Sequence, residues 1–314
     1  MGINYSFIIP HKNTPDLLQR CLASIPCRED IQIIVIDDNS DPVKVNFEHF
    51  PGSDIENVQI IFSKESKGAG AARNKGLQKA EGKWLFFADA DDFFNSCFIE
   101  TIDRYVDFEA DIIYFSVNSV YSDSLEPGFR GIEIDQMIKN AITTKNFDQL
   151  RYKNLGPVGK MVRSELVRQN HLKFDETLAN NDAMFSVKSG YYAKKVEVDA
   201  TKIYCITCDR NSVSHKYSEA IAKDRLIVFR NINYFLHDIY KSHYRINLIP
   251  YLLCIRYWEW HSFFKRMRLL TFWYYISYFW IDLIDLNIQM LKLFFNRSKR
   301  IQFINRNNLI KGKS

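Results

Sequence analysis

The chain has 314 residues, of which 46% are hydrophobic and 15% aromatic, and its 42 basic against 37 acidic residues give a net charge of +5. A sequence this long and this apolar can bury a large core, which excludes an intrinsically disordered chain. The positive charge is concentrated, because seven basic residues and no acidic one follow Asp285. We therefore expect a contact of this C-terminal segment with phospholipid or another polyanion, and no nucleic-acid partner for the protein as a whole.

The first half of the chain alternates short apolar runs with helical patterns. Thr14 as N-cap and Pro15 begin a helix that continues to about Ser24, and a glycine-containing loop precedes a second helix over Ala69–Ala80. Continuous Ile, Val and Phe runs are typical of strands buried on both faces, so we predict an α/β fold with a mainly parallel sheet between helices. The predicted strands are Ser6–Pro10, Ile31–Ile36, Val58–Phe62, Trp84–Ala88 and Asp111–Ser116.

Polar clusters follow these strands at the points where they end. His11–Asn13 follows the first strand, Asp37–Asp38 the second and Asp89–Asp92 the fourth, while Lys67–Arg73 leads into the second helix. In open α/β sheets, ligands bind at the carboxyl ends of the strands. We therefore expect these four clusters to converge on one site.

The second half is harder to assign. Residues 117–150 follow no clear pattern, whereas later residues predict a helix over Ser164–Gln169 and another that begins near Asn181 or Asp182. Two further strands are predicted at Val196–Val198 and Lys202–Thr207. From about Ser218 the sequence becomes helical and rich in Tyr, Phe and Trp, so we predict a first domain over residues 1–215 and a helical region over residues 216–314.

The C-terminal helical region has two interpretations. Its longest uncharged run, Leu269–Ile281, has 13 residues, whereas a membrane span needs roughly 20. It is either a helical subdomain that packs on the first domain or an interfacial membrane attachment, as tryptophans among basic residues would suit. No charged leader with a long apolar stretch is present at the N-terminus, so we expect a cytoplasmic protein, peripheral on the inner face of the membrane under the second interpretation. The tryptophans are Trp258, Trp260, Trp273 and Trp280.

The segment Phe86–Phe93 contains three carboxylates in four positions directly after a predicted strand. Asp89 and Asp91 are two residues apart, so on an extended chain both would point the same way and could bind one divalent cation. Carboxylate oxygens suit Mg²⁺ or Mn²⁺, which complete their shells with water and phosphate oxygens. A diphosphate is therefore the expected ligand. The alternative is a solvated acidic turn in which Asp92 caps the next helix.

The segment Lys67–Asn74 is a loop of small residues that continues into a helix. Backbone amides at the start of a helix favour an anion, and Arg73 adds a fork of donors. The segment is neither a P-loop, since no Gly-Lys-Ser/Thr follows, nor a dinucleotide fingerprint, which must come after the first strand.

Together these segments resemble the inverting glycosyltransferases of family 2, the nucleotide-sugar transferases with the GT-A fold, of the type that builds bacterial surface polysaccharides. Weaker likenesses at residues 159–166 and 173–176 extend the resemblance over residues 5–215. The four motifs that carry it are I-I-P-H-K-N (residues 8–13), V-I-D-D-N-S (35–40), G-A-G-A-A-R-N-K-G-L (68–77) and F-A-D-A-D-D (87–92).

By position, the resemblance implies a donor site. Pro10, Asn13 and Asp38 would surround the base and the ribose of the nucleotide. Arg73 would lie near the nucleotide, and Asp89 beside the sugar or the ribose.

The resemblance also implies a metal ion and a catalytic base. Asp91, with Asp89, would hold Mn²⁺ or Mg²⁺, and His215 would reach the metal or the diphosphate unless it is a surface residue. The family's base is the Asp of a Glu-Asp pair, so Asp182 would be the base here, while Asn181 stands at the position of the Glu. The alternative for Asp182 is an ordinary residue at a helix N-terminus. An amide cannot repel a carboxylate, so we expect acceptor choice or rate to differ from the family's.

The implied activity is metal-dependent transfer of one sugar, a hexose or an N-acetylhexosamine, with inversion. The donor would be a nucleotide-diphosphate sugar, best a UDP-sugar, and the acceptor a hydroxyl of a glycan or a lipid-linked glycan. One alternative is a sugar nucleotidyltransferase, which would need a G-x-G-T-R loop after the first strand that is absent here. Another is a non-catalytic glycan- or membrane-binding protein, which Asn181 leaves open.

Overall fold

The structure is a computed structural model that describes residues 2–208, 219–248 and 251. The chain divides into two compact units, Met1–Tyr217 and Ser218–Ser314. In the second unit, the described residues form the helix α8 (Glu219–Asp238) and a 3₁₀ turn at Ser242–Tyr244. The predictions of a first domain over residues 1–215 that holds the donor site and of a helical region over residues 216–314 stay predictions.

The first unit alternates strands and helices along the chain. Its strands are β1 (Tyr5–His11), β2 (Ile31–Asp38), β3 (Val58–Ser63), β4 (Trp84–Phe87), β5 (Phe93–Phe94), β6 (Ile112–Tyr121), β7 (Lys160–Arg163) and β8 (Val196–Cys208). Its helices are α1 (Pro15–Ala23), α2 (Ala69–Leu77), α3 (Phe98–Asp103), α4 (Ile132–Thr144), α5 (Asp148–Tyr152), α6 (Ser164–Gln169) and α7 (Ala183–Tyr192).

The eight strands form one sheet in the order β3-β2-β1-β4-β7-β6-β8-β5. β3, β2, β1 and β4 run parallel to one another, and β6 is parallel to β8. The short strands β5 and β7 pair antiparallel. The predicted α/β fold with a mainly parallel sheet is therefore confirmed. Each antiparallel pair of named strands includes β5 or β7, which have two and four residues.

The core lies on both faces of the sheet, because successive side chains of a strand point to opposite sides. On one face, Phe7 and Ile9 of β1 belong to the same apolar cluster as Leu18 of α1. On the other face, Ile8 belongs to a second cluster with Ala72 of α2. This burial on both faces accounts for the continuous apolar runs in the sequence.

Some predicted elements differ in detail from the observed ones. Thr14 occupies the N-cap position of α1, but its side chain makes no capping hydrogen bond; its backbone N–H donates to Nε2 of His11 (3.1 Å). The two strands predicted between residues 196 and 207 form the single strand β8, which follows β6 through register shifts at Phe115–Val117. Residues 117–150, for which the sequence shows no clear pattern, contain the end of β6, the helix α4 and the start of α5.

Several predictions concern residues outside the described ones. They include His215, the apolar run Leu269–Ile281, the four tryptophans and the basic segment 286–314. Within residues 2–208, 219–248 and 251, no helix has both the length and the apolar composition needed to cross a membrane.

Candidate active site

The end of β2 is held by a closed set of buried hydrogen bonds. Asp37 Oδ1 lies 2.8 Å from Nδ1 of His11 at the end of β1, and Oδ2 accepts the backbone N–H of Ser40 (2.9 Å). The Ser40 hydroxyl also donates to Oδ1 (2.5 Å). Burial alone would raise the pKa of Asp37, but the hydrogen bonds from His11 and Ser40 hold that pKa below its ordinary value. Asp37 therefore fixes the ends of β1 and β2 relative to each other.

Asp38, the next residue, joins β2 to the start of α2. It is buried, and its Oδ2 accepts the backbone N–H of Gly68 (2.9 Å). Lys12 Nζ lies 3.6 Å from the same oxygen and donates to the carbonyl of Asp38 (3.0 Å). Gly68 has φ +86°, a left-handed conformation that favours glycine, and it stands directly before the first residue of α2. The acidic end of β2 thus sets the start of this helix.

Asn13 and Pro10 lie next to this arrangement. The backbone N–H of Asn13 donates to Oγ of Ser40 (2.8 Å), and its side-chain oxygen accepts the backbone N–H of Asp41 (2.7 Å). Pro10 is half-buried in β1 opposite Ile36. The structure brings these donor-site candidates and Asp38 to one edge of the sheet, where the Asn13 oxygen is engaged by the protein itself.

The three carboxylates after β4 also converge. The side-chain oxygens of Asp89, Asp91 and Asp92 lie within 4.8 Å of one another. The backbone here forms a turn, in which the Asp92 N–H donates to the Asp89 carbonyl (3.0 Å). The expected convergence of Asp89 and Asp91 is therefore observed, but the extended backbone expected for them is not. We call these three residues the acidic cluster.

Asp92 is the buried member of the acidic cluster. Its carboxylate accepts the backbone N–H of Thr207 (2.7 Å) and the hydroxyl of Tyr204 (2.9 Å), both on β8. The same Tyr204 hydroxyl accepts the N–H of Asp89 (2.9 Å). Burial, followed by the charges of Asp89 and Asp91, raises the pKa of Asp92 well above its usual range. Asp92 is therefore not the helix cap of the alternative interpretation, because it is buried and Cys97 holds the N-cap position of α3.

Asp91 is held in place by its backbone. Its carbonyl oxygen accepts hydrogen bonds from Arg20 Nη2 (2.6 Å) and from the Thr207 hydroxyl (2.7 Å). Burial, and next the charge of Asp89, raises the pKa of Asp91 to about 6, against the opposing charges of Arg130 and Arg20. The protein thus holds a partly buried carboxyl group next to a second one at this point.

Arg73 of α2 connects the acidic cluster to the segment before α7. Its side chain is buried, one terminal nitrogen donates to Oδ1 of Asp89, and the other donates to Oδ1 of Asn181 (3.0 Å). The guanidinium carbon lies 5.4 Å from the ring centroid of Phe174. Arg73 and Asp89, two donor-site candidates, are therefore in direct contact, and Asn181 is a second hydrogen-bond partner of Arg73.

The segment 174–182 packs against helix α2. Two hydrogen bonds join Asn74 to Phe174. Nδ2 of Asn74 donates to the carbonyl of Phe174 (3.0 Å), and the backbone N–H of Phe174 donates to Oδ1 of Asn74 (2.8 Å). At Gly70 a Cβ would overlap the carbonyl oxygen of Asp175 and lie 2.9 Å from Cβ of Asn181. Only glycine allows this close approach, so three residues of the third motif position the segment that leads to α7.

Asp182 lies at the N-cap position of α7, next to Asn181. Its carboxyl makes no capping hydrogen bond. The alternative of an ordinary residue at a helix N-terminus agrees with this position and stays open. Burial raises the pKa of Asp182; the charge of Asp89 adds to this effect, whereas Arg73 and Lys160 oppose it. Asp182 is thus a carboxyl group that is not engaged as a helix cap and lies within electrostatic reach of Arg73 and the acidic cluster.

Three residues of this region were missed in the sequence. Tyr204 and Thr207 place hydroxyl groups within an otherwise apolar strand, and this pattern could have predicted a buried polar site. Lys160 is a single basic residue at the start of a short buried strand, and its 2% exposure is unusual for a lysine.

A family model described as Glycosyl transferase family 2 matches residues 6–169. The chain belongs to this family. The four motifs of its family 2 region lie at the carboxyl ends of β1, β2 and β4 and at the start of α2.

Two curated relatives of this family 2 chain are identical to it at about a quarter of the aligned positions. A poly(ribitol-phosphate) beta-glucosyltransferase of Bacillus spizizenii is 27% identical over 209 residues, which are 63% of this chain and 31% of that protein. Glycosyltransferase GlyA of Streptococcus pneumoniae is 25% identical over 228 residues, 68% of this chain and 32% of that protein. The chain therefore spans about a third of the length of these two relatives.

Among solved structures, residues 1–349 of Staphylococcus aureus TarS in complex with UDP-GlcNAc align with this chain at a TM-score of 0.61. The two chains are 22% identical, and the alignment covers 77% of this chain and 69% of the other. This similarity shows that the family 2 chain and TarS share a fold.

Proposed function

We propose that this chain transfers one sugar from a nucleotide-diphosphate sugar, a UDP-sugar, to a hydroxyl group of a glycan or lipid-linked glycan, with inversion. The observation that carries the proposal is Arg73, whose side chain joins Asp89 of the acidic cluster to Asn181, the neighbour of Asp182. Family membership and the TarS complex with UDP-GlcNAc support the donor class.

The proposed roles follow from charge. When the bond between the sugar and the diphosphate breaks, negative charge develops on the leaving group, and fixed positive charge stabilises it. Arg73 supplies such a charge in a rigid position, because it is buried and bonded on both sides. On the other side of the reaction, Asp182 accepts the proton of the acceptor hydroxyl, whose oxygen then attacks from the face opposite the diphosphate.

The acidic cluster fits Mn²⁺ or Mg²⁺, which we propose as the cofactor. Three carboxylates within 4.8 Å offer hard oxygen ligands. Burial, and next the charge of Asp89, raises the pKa of Asp91, and a divalent cation would offset both effects. Asp89 and Asp91 are the proposed ligands, since Asp92 is already bonded to Thr207 and Tyr204. When bound, the cation would supply Lewis-acid stabilisation of the diphosphate.

The test is a panel of UDP-, GDP- and CMP-sugars with Mn²⁺ or Mg²⁺, followed by nucleotide release and by thermal shift. We expect one UDP-sugar to bind and to release UDP. Replacing the base, Asp182→Asn, should lower transfer by at least about 10²-fold while nucleotide binding persists, because the proton acceptor alone is lost.

The matched control is Asp175→Asn, seven residues away on the same segment, which should retain transfer. Full transfer by Asp182→Asn would contradict the assigned base. Nucleotide binding without release or transfer by the wild-type protein would support the non-catalytic alternative instead.

A further inference from the structure

Arg20, in the last turn of α1, contacts the turn that carries the acidic cluster. Its Nη2 atom donates a hydrogen bond of 2.6 Å to the carbonyl oxygen of Asp91, and its guanidinium carbon lies 5.3 Å from the centroid of the Phe93 ring. The hydrogen bond is made to the main chain, so it does not occupy the carboxylate oxygens. Arg20 therefore holds the backbone of a proposed cation ligand while leaving its ligand atoms to the cation.

The same guanidinium group also reaches the end of β6. Nη1 of Arg20 donates to the carbonyl of Ser122 and Nη2 donates to the Ser122 hydroxyl, both at 3.4 Å. Ser122 directly follows β6, and its backbone N–H donates to the carbonyl of Cys208 at the end of β8 (3.1 Å). The planar fork of an arginine can bond several acceptors in a fixed geometry, which the compact ammonium group of a lysine cannot reproduce. Arg20 thus joins the Asp91 carbonyl to the ends of two strands.

A second donor acts on the same carbonyl oxygen. The hydroxyl of Thr207 on β8 donates to the Asp91 carbonyl (2.7 Å), and the backbone N–H of Thr207 donates to the carboxylate of Asp92 (2.7 Å). This carbonyl belongs to the planar peptide that links Asp91 to Asp92, so two donors on it fix the orientation of that peptide. The direction in which the Asp91 side chain leaves the backbone is fixed with it. Groups that orient a metal ligand in this way contribute strongly to metal affinity.

Arg20 has two opposite effects on a cation at the acidic cluster. Its positive charge repels the cation, so the loss of the charge alone would tighten cation binding. Its hydrogen bond to the Asp91 carbonyl holds a ligand in place, so the loss of that bond would weaken cation binding. The sign of the change in affinity therefore shows which effect is larger.

We propose that Arg20 is a positioning residue for the cation site: its forked hydrogen bonds to the Asp91 carbonyl and to Ser122 hold the Asp91 carboxylate where it can bind the cation. The inference rests on one part of the proposed function, the Mn²⁺ or Mg²⁺ at the acidic cluster, and it needs neither the sugar nor the acceptor. Arg20 lies outside the four motifs, so the inference adds a residue of α1 to the site.

The experiment measures the Mn²⁺ affinity of the full chain by calorimetry without nucleotide, together with the melting temperature of each variant. Arg20→Met removes both the charge and the donors, and we expect it to weaken Mn²⁺ binding by about tenfold. Arg20→Lys keeps the charge but loses the fork, so we expect a smaller loss of affinity. An effect of charge alone would instead tighten Mn²⁺ binding in Arg20→Met and leave it unchanged in Arg20→Lys.

Two matched controls separate positioning from charge and from packing. Arg130→Met removes a positive charge whose hydrogen bond goes to the carbonyl of Thr207 (3.3 Å), so Mn²⁺ binding should be unchanged or tighter. Ser24→Ala removes another contact of α1 with the segment after the acidic cluster, because the Ser24 hydroxyl accepts the backbone N–H of Phe94 (3.0 Å). This second control should lower the melting temperature without changing the Mn²⁺ affinity.

A folded Arg20→Met variant that binds Mn²⁺ as tightly as the wild type, or more tightly, would overturn the proposal. An equal loss of affinity in Ser24→Ala would also overturn it, because general packing of α1 would then explain the result. Should Arg20→Met not fold, Arg20→Lys decides the question: wild-type Mn²⁺ affinity in that variant would overturn the proposal as well.

Sugar transfer by the wild type is measured separately, so the two proposals can fail independently. If the Arg20 variants bind Mn²⁺ more weakly while the wild type transfers no sugar, the proposed transfer fails and this inference stands. If the wild type transfers sugar and the Arg20 variants keep wild-type Mn²⁺ affinity, this inference fails and the proposed transfer stands. A wild type that binds neither Mn²⁺ nor Mg²⁺ would overturn the proposed cofactor and this inference together, and transfer in the presence of a chelator would then support a metal-independent enzyme.

Discussion

Two groups of carboxylates lie at the same edge of the sheet on either side of β1, and their environments are opposite. Asp37, at the end of β2, has donors on both oxygens, and its pKa is below the ordinary value. Asp91, after β4, is partly buried beside the carboxylate of Asp89, and both effects raise its pKa. The same residue type is thus a structural anchor where donors surround it and a candidate cation ligand where negative charges surround it.

The largest expected effect comes from the acidic cluster. We expect Asp91→Asn to lower sugar transfer by at least about 10²-fold, because a proposed cation ligand is removed. In the absence of metal, the same change should raise the melting temperature, since it relieves repulsion among three carboxylates.

Thermal unfolding with and without MnCl₂ checks both statements about Asp91. A ligand that binds the folded state raises its melting temperature, so Mn²⁺ should stabilise the wild type and leave the variant unaffected. Equal stabilisation of the two proteins by Mn²⁺ would show that Asp91 is not a ligand.

A smaller effect is expected at the structural anchor. Asp37→Asn should destabilise the fold at pH 7 by about 1–3 kcal/mol, because buried donors lose a charged acceptor. The folded-state pKa of Asp37 is lowered, so its contribution is present above the unfolded-state pKa and is lost as the pH falls through the folded-state value. The difference from the wild type should therefore shrink below about pH 4.

Urea unfolding at a series of pH values measures this difference. Asp41→Asn, at an exposed carboxylate of the same loop, is the control and should have little effect at any pH. If Asp37→Asn were as stable as the wild type at neutral pH, Asp37 would not be a structural anchor, and its contrast with the carboxylates after β4 would be lost.

The smallest effect concerns the hydroxyl group that links two members of the acidic cluster. Tyr204→Phe removes a donor to Asp92 and an acceptor for the N–H of Asp89, which should cost about 1 kcal/mol and weaken Mn²⁺ binding. Tyr105→Phe removes a similar bond to Asp199 (2.8 Å) away from the cluster, so it should cost stability without changing Mn²⁺ binding. Calorimetry with Mn²⁺ distinguishes the two, and equal metal affinities in both variants would count against a role for Tyr204.

Much of the first half of the fold was predictable because its signals are local. The strands β1 to β4 are continuous apolar runs, and each polar cluster adjoins the strand that positions it, so Asp38, Arg73 and Asp89 could be grouped from topology alone. The carboxyl ends of parallel strands meet at one edge, which is a general property of such sheets.

The remaining features depend on residues far apart in the chain. Asp92 is bonded to Thr207, 115 residues away, through the two-residue strand β5 that lies beside β8. Arg73 contacts Asn181 across 108 residues. No local pattern in the sequence indicates such pairs. The expectation of an extended chain at Asp89–Asp92 was wrong because the hydrogen bonds from β8 to the Asp92 carboxylate, which accompany the turn, could not be predicted from neighbouring residues.

The close approach at Gly70 has a consequence for engineering. Because the carbonyl of Asp175 lies against the backbone of α2 at that position, the segment that ends in Asp182 cannot be exchanged independently of the helix. A chimaera that imports another segment in place of residues 174–182 must also keep glycine at position 70. Otherwise the imported segment would be pushed away from the helix, and Asp182, the proposed base, would be displaced with it.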